Sequence, residues 1–129
     1  MVDLMAIAHV CYEANRALQI EQNRLDIPIG MPWEELSIEQ KESIVVGVEK
    51  VLAGNSPMES HHDWVAIRVQ QGWVWGPIKD EAKKQHPLLV PYADLSEQDR
   101  RKDYLFCAIV HALADTIAEQ DANMEHNGI

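Results

Sequence analysis

Three serines punctuate this chain, and each stands where a helix has to begin. Ser37 is followed three positions on by Gln40, Ser56 by Glu59 and Ser96 by Asp99. At that spacing the serine hydroxyl accepts from the backbone N–H of the third residue, and the longer side chain there reaches back to the serine N–H. Pro57 strengthens the second start, because its fixed φ suits the first helical position. An apolar stripe follows each start, and no segment alternates with a convincing period of two. A mainly α fold is the consequence.

Four helices are predicted. The first covers about residues 3–22, where Leu4, Ile7, Ala8, Cys11, Ala14 and Leu18 recur at three- and four-residue steps. The second runs from Ser37 to near Gly54 and buries Ile44, Val45, Val48, Val51 and Leu52. The third runs from Ser56 to a stop at Gly72, carrying Trp64, Val65, Ile67 and Val69. The fourth begins at Ser96. Its stretch 104–114 is apolar almost all round, which suits a helix packed on several sides. The segment 23–36, broken by Pro28, Gly30 and Pro32, is expected as an ordered loop pinned by Trp33. Residues 72–95 form a second, longer non-helical loop; "WVW" could pair briefly, but Pro77 follows at once. One domain over 1–120 is expected, with 121–129 as a frayed tail.

Charge narrows the possible partners. The 129 residues carry a formal net charge of −10, which argues against duplex nucleic acid, where phosphate contacts supply most of the affinity. No apolar run approaches the roughly 18 residues of a membrane span, and the N-terminus has no basic leader, so a cytoplasmic protein is expected. Cys11 and Cys107 are in no metal or redox spacing and read as reduced, buried thiols.

Against this acidic background, six of the eleven basic residues fall between 79 and 102. Trp73, Trp75 and Tyr92 lie in or beside that stretch. Cations next to flat rings suit a ligand with a base and a phosphate, the rings stacking and the cations bonding the anion. The same composition also describes a solvated loop whose tryptophans fill the core. His61, His62 and Asp63 lack a metal-ligand spacing, and no metal site is expected. His9 and His111 read as core histidines, whereas His86 is oriented by Pro87 after it. Asn15 and Arg16 are either a solvated face or donors into a pocket. There is no nucleophile elbow, P-loop or dinucleotide fingerprint, so no catalytic residue and no cofactor are expected.

The ordered motifs His61-x-x-Trp64, "GWVWGPIKD", "KKQHPLLVPYADL" and "RKDYLFCAIV" resemble the repeat domain first named in ryanodine receptors, which also occurs as single copies in bacteria and phages. The similarity extends over roughly residues 5 to 115. Trp75 stands where that family more usually has Tyr or Phe. The resemblance implies a compact four-helix domain of that type with a long ordered loop at about 72–95. Likeness to the paired repeats of the receptors implies an adenine-nucleotide site, and a single copy would recreate the pair as a homodimer. A non-enzymatic binder of a nucleotide, a cyclic nucleotide or an ADP-ribose-type signal is therefore expected. A phage-encoded copy would sequester such a signal of host immunity. Trp73, Trp75 and Tyr92 would supply aromatic faces, Lys79, Lys83 and Arg101 would meet phosphate, and Asn15, Arg16, Asp80 and His86 would contact base or ribose. The competing expectation is a protein-interaction module using the same aromatics as a hot spot.

Overall fold

The computed structural model describes the backbone of residues 3–127 and the side chains through Thr116. It contains four helices: α1 (Leu4–Gln22), α2 (Ile38–Leu52), α3 (Pro57–Gln70) and α4 (Glu97–Asn127). Both complete capping boxes form. Ser37 Oγ accepts from Gln40 N–H at 3.1 Å and Ser56 Oγ from Glu59 N–H at 3.2 Å, with the side chains of Gln40 and Glu59 returning to the serine N–H groups. At α4, Ser96 Oγ accepts from Asp99 N–H at 3.1 Å. Asp99 makes no return bond, because its carboxylate instead pairs with Arg24.

α4 packs against the other three helices, and α1 lies against both α2 and α4. Their shared core holds Ile7, Ala8, Cys11, Trp33, Val48, Val51, Cys107 and Val110. Trp33 is buried as expected, its indole stacked on His9 at 4.8 Å. Three expectations need correction. Leu52 is exposed, since it is the last residue of α2 and lies beyond the packed turns. α4 keeps a solvent face despite its apolar middle, with Tyr104 61% exposed and His111 outside the core. α3 buries fully not an aliphatic residue but His61, while Val69 points outward. The helical backbone of α4 continues to Asn127, through most of the segment expected to fray; residues 128 and 129 lie outside the described residues.

The segment between α3 and α4 is not a plain loop. It contains β1 (Val74–Trp75) and β2 (Gln85–His86), paired in parallel with Trp75 opposite His86, and a 3-10 turn at Tyr92–Asp94. The helix before it stops because Gly72 takes φ +93°, a left-handed conformation open to glycine at little cost. Gly76 has a different reason to lack a side chain: a Cβ there would lie 2.6 Å from Gln85 Cβ, across the strand pair. A second, smaller core of Ile27, Leu88 and Leu95, with Trp64, Val90 and Tyr92 packed on it, joins this segment to the α1–α2 connection.

Candidate functional site

The side chains around β1 and β2 are positioned mostly by backbone anchors. Asp80 and Gln85 exchange backbone hydrogen bonds at 2.9 and 3.0 Å, closing a turn over 81–84. Asp80 Oδ1 accepts from Lys83 N–H at 3.1 Å inside that turn, leaving the Lys83 side chain exposed. Lys84, at φ +53°, sends its ammonium back to the Gln71 carbonyl at 2.9 Å, so one lysine of the expected basic cluster closes the end of α3. Lys79 N–H donates to Asp26 O at 2.8 Å, which places its side chain beside the α1–α2 connection.

That connection is held from α1. Tyr12 Oη donates to Met31 O at 2.6 Å, Arg16 Nε donates to Gly30 O at 2.9 Å, and Gln19 and Glu13 accept from Gly30 N–H and Trp33 N–H. Between this strap and the turn lies an open groove of about 480 Å³, lined by Pro28, Ile29, Gly30 and Met31 on one side and Lys79, Asp80 and Glu81 on the other. Arg16 supports the groove wall through Gly30, and Asn15 is its half-buried neighbour on α1.

The two tryptophans divide. Trp73 is half-buried, with the Arg68 guanidinium 5.7 Å from its ring centre and His86 at 6.4 Å. Trp75 is 55% exposed, and its Nε1 donates to Pro87 O at 3.1 Å, which fixes the indole across β2. Arg68 bonds the Gln71 amide at 2.8 Å. Burial lowers the pKa of both Arg68 and Lys79; Glu81 opposes this at each, and the charge of Arg68 lowers Lys79 further. His86 is buried, edge-on to Trp64 at 4.9 Å, and its Nδ1 accepts from Leu88 N–H at 3.0 Å. Burial first, then the charges of Lys79, Lys102 and Arg68, push His86 down to about 3, so it is a neutral ring with its proton on Nε2.

Tyr92 and Arg101 belong elsewhere. Arg100 stands over the Tyr92 ring at 5.0 Å, and the Tyr92 hydroxyl is buried without a hydrogen-bond partner among the described residues. Burial, with Tyr104 nearby, pushes this phenol up to about 12. Arg101 lines a second groove of about 370 Å³ with Glu97, Arg100 and Tyr104, sharing no residue with the first. The structure therefore gathers Trp73, Lys79, Asp80 and His86 around one neighbourhood, with Trp75 on its outer face. Arg101 lines the other groove, and Tyr92 packs on the second core beneath Arg100.

Sequence reasoning missed Arg68 and the polar cluster beneath Trp64. His61 is fully enclosed; its Nε2 donates to Val90 O at 2.7 Å and its Nδ1 accepts from Lys102 at 3.2 Å. Lys102 also bonds both oxygens of Asp103 at 3.0 Å and lies 5.2 Å from the Trp64 ring centre. Burial lowers Lys102 and raises Asp103, each opposed by its partner. The His61-x-x-Trp64 spacing was the available signal, since it sets both rings on the inner face of α3. Among the described residues no three His, Cys, Asp or Glu are grouped to hold a metal, and no helix is long and apolar enough to cross a membrane.

This arrangement, a histidine–tryptophan helix locked onto a Gly-Trp-x-x-Gly turn, is matched by a protein-family model. Residues 48–113 fit the RyR domain. The chain belongs to the RyR domain family. The match runs from the end of α2 through α3, both strands and the first half of α4. α1 and the start of α2 lie outside it, although the resemblance was expected to reach them. Within the RyR domain, the matched histidine and tryptophan are load points of the fold: His61 holds Val90, and Trp64 packs the second core.

Proposed function

We propose that this RyR domain binds a nucleotide or nucleotide-derived anion without chemically changing it, at the face formed by Trp73, Trp75, Arg68 and Lys79. The observation that carries the reading is the Arg68 guanidinium 5.7 Å from the Trp73 ring centre, with Lys79 near enough to feel its charge, on a chain of net charge −10. Burial disfavours both charges, the Arg68 charge adds to this at Lys79, and a bound anion would relieve it further than Glu81, 3.9 Å from Lys79, already does. Trp75, more than half exposed, offers a flat apolar face for a base, and the adjoining groove offers Asp80 as an acceptor for ribose or base donors.

The test is a thermal-shift panel of adenine mono-, di- and triphosphates, cyclic nucleotides and ADP-ribose. A ligand at a hundred times its Kd should stabilise the fold by about 2.7 kcal/mol. Lys79→Ala and Trp75→Ala should remove that shift while folding normally, since the Lys79 anchor to Asp26 is backbone and Trp75 is exposed. Recovery of the nucleotide unaltered after incubation supports binding without turnover; a new product would make the domain an enzyme.

A second reading rests on a different observation. Val69, Val74, Trp75 and Ile78 are each at least 55% exposed, an apolar surface of the kind that docks a protein. If no nucleotide shifts the melting temperature, the first reading fails. Concentration-dependent sedimentation would then assign this face to a homodimer.

A further inference from the structure

Three imidazoles converge on one short run of backbone. His86 Nδ1 accepts from Leu88 N–H at 3.0 Å, His62 Nε2 accepts from Tyr92 N–H at 3.2 Å, and His61 Nε2 donates to Val90 O at 2.7 Å. The partners are alternate residues, 88, 90 and 92, so the rings bind the strap that leads from β2 to the 3-10 turn before α4. Leu88 N–H and Tyr92 N–H can only donate, so each requires an unprotonated ring nitrogen on its histidine. Val90 O can only accept, which leaves His61 Nδ1 as the unprotonated atom facing the Lys102 ammonium at 3.2 Å.

We propose that residues 86–92 form a proton-released strap, closed while His86 and His61 are neutral and opened when they take up protons. Protonating His86 abolishes the acceptor for Leu88. Protonating His61 leaves its bond to Val90 intact but sets an imidazolium against Lys102. The surrounding charges favour release. His86 faces Lys79 from the turn after β1, Arg68 from α3 and Lys102 from α4, with only Asp26 of the α1–α2 connection opposing them. His61 faces Lys102 and Asp103 from α4, His62 beside it on α3, and the Tyr92 ring at 6.0 Å. His62 is exposed and its neighbours are His61 and the Tyr92 backbone. Burial already holds His86 and His61 below the ordinary imidazole value, so the closed strap excludes protons that an open one accepts. Opening would also undo the β1–β2 pairing, since His86 is one of the two residues of β2.

Native-state hydrogen exchange on the full chain tests this between pH 7.5 and pH 5, with rates corrected to protection factors. Leu88 and Tyr92 should be less protected than Val48 and Val110, and insensitive to low urea, as local opening requires. Their protection should fall by about tenfold per pH unit below 6.5 for each histidine taking up a proton. His86→Asn keeps an acceptor two residues before Leu88 N–H in an Asx turn but does not titrate. It should remove about tenfold per pH unit from the Leu88 dependence. The proposal is overturned if Leu88 and Tyr92 exchange only with the core, or if His86→Asn and the native chain share one pH slope. The His86 ring shifts of the native chain give a reading that does not depend on the variant folding. Protonation concurrent with lost Leu88 protection supports the strap, and protonation with that protection unchanged overturns it.

Discussion

Histidine 61 shows how much can depend on one enclosed polar side chain. It is 0% exposed, yet both ring nitrogens are bonded, one to Val90 O and one to Lys102. His61→Ala strands the Val90 carbonyl, a loss of about 1–3 kcal/mol before any cavity is counted. Urea denaturation should record at least that. The tryptophans carry a graded expectation. A fully buried tryptophan truncated to alanine loses about 3–5 kcal/mol. Trp73, half-buried against His86, should fall below that range, and Trp75→Ala should leave the urea midpoint almost unchanged. Nothing in "WVW" separates the two indoles. Strand pairing does, by laying Trp75 across Pro87 on the outside.

Among the elements, helix starts were the most legible part of the chain. Both capping boxes are local, four-residue devices, so the serine and its partner suffice to place them. Ser56→Ala should lower stability by about 1 kcal/mol through the lost cap, readable as a smaller urea midpoint at constant slope. The strands were not legible, because two residues cannot show a period and the pairing joins positions eleven apart through a turn. Gly76 records that hidden contact. Gly76→Ala would force β1 from β2 at a contact of 2.6 Å, and overpacking of this kind costs about 1–3 kcal/mol. Faster hydrogen exchange of the Gln85 amide, whose bond to Asp80 closes the turn, would accompany it.

For the whole molecule, the buried histidines give stability a direction with pH. The unfolded chain protonates His61 and His86 near pH 6.5. The folded chain resists, burial being the largest cause, and holds His86 down to about 3. Their contribution is therefore fully present above pH 6.5 and is lost as pH falls below it, for His86 down to about 3. Each histidine in that window removes about 1.4 kcal/mol per pH unit. Denaturation at pH 7.5, 6 and 5 should show this slope, and His86→Asn should reduce it by one proton. Such a dependence is not written in the sequence, which shows neither how deeply His61 and His86 are buried nor which cations face them.

What the sequence determined by itself was local or periodic: the helix starts, the stripe of α1 that buries Ile7, Ala8 and Cys11, the pinning of the first connection by Trp33, and the ordered motifs of the RyR family. Caps, stripes and glycine stops act within one or two turns, so neighbouring residues encode them. Only the tertiary structure decided which charged and aromatic groups meet. It set Arg68 over Trp73, sent Arg101 to a separate groove, turned Lys84 into a helix cap and buried His61 in place of an aliphatic residue. Those contacts span distant positions of the chain, and their energies depend on burial, which no short stretch of sequence carries.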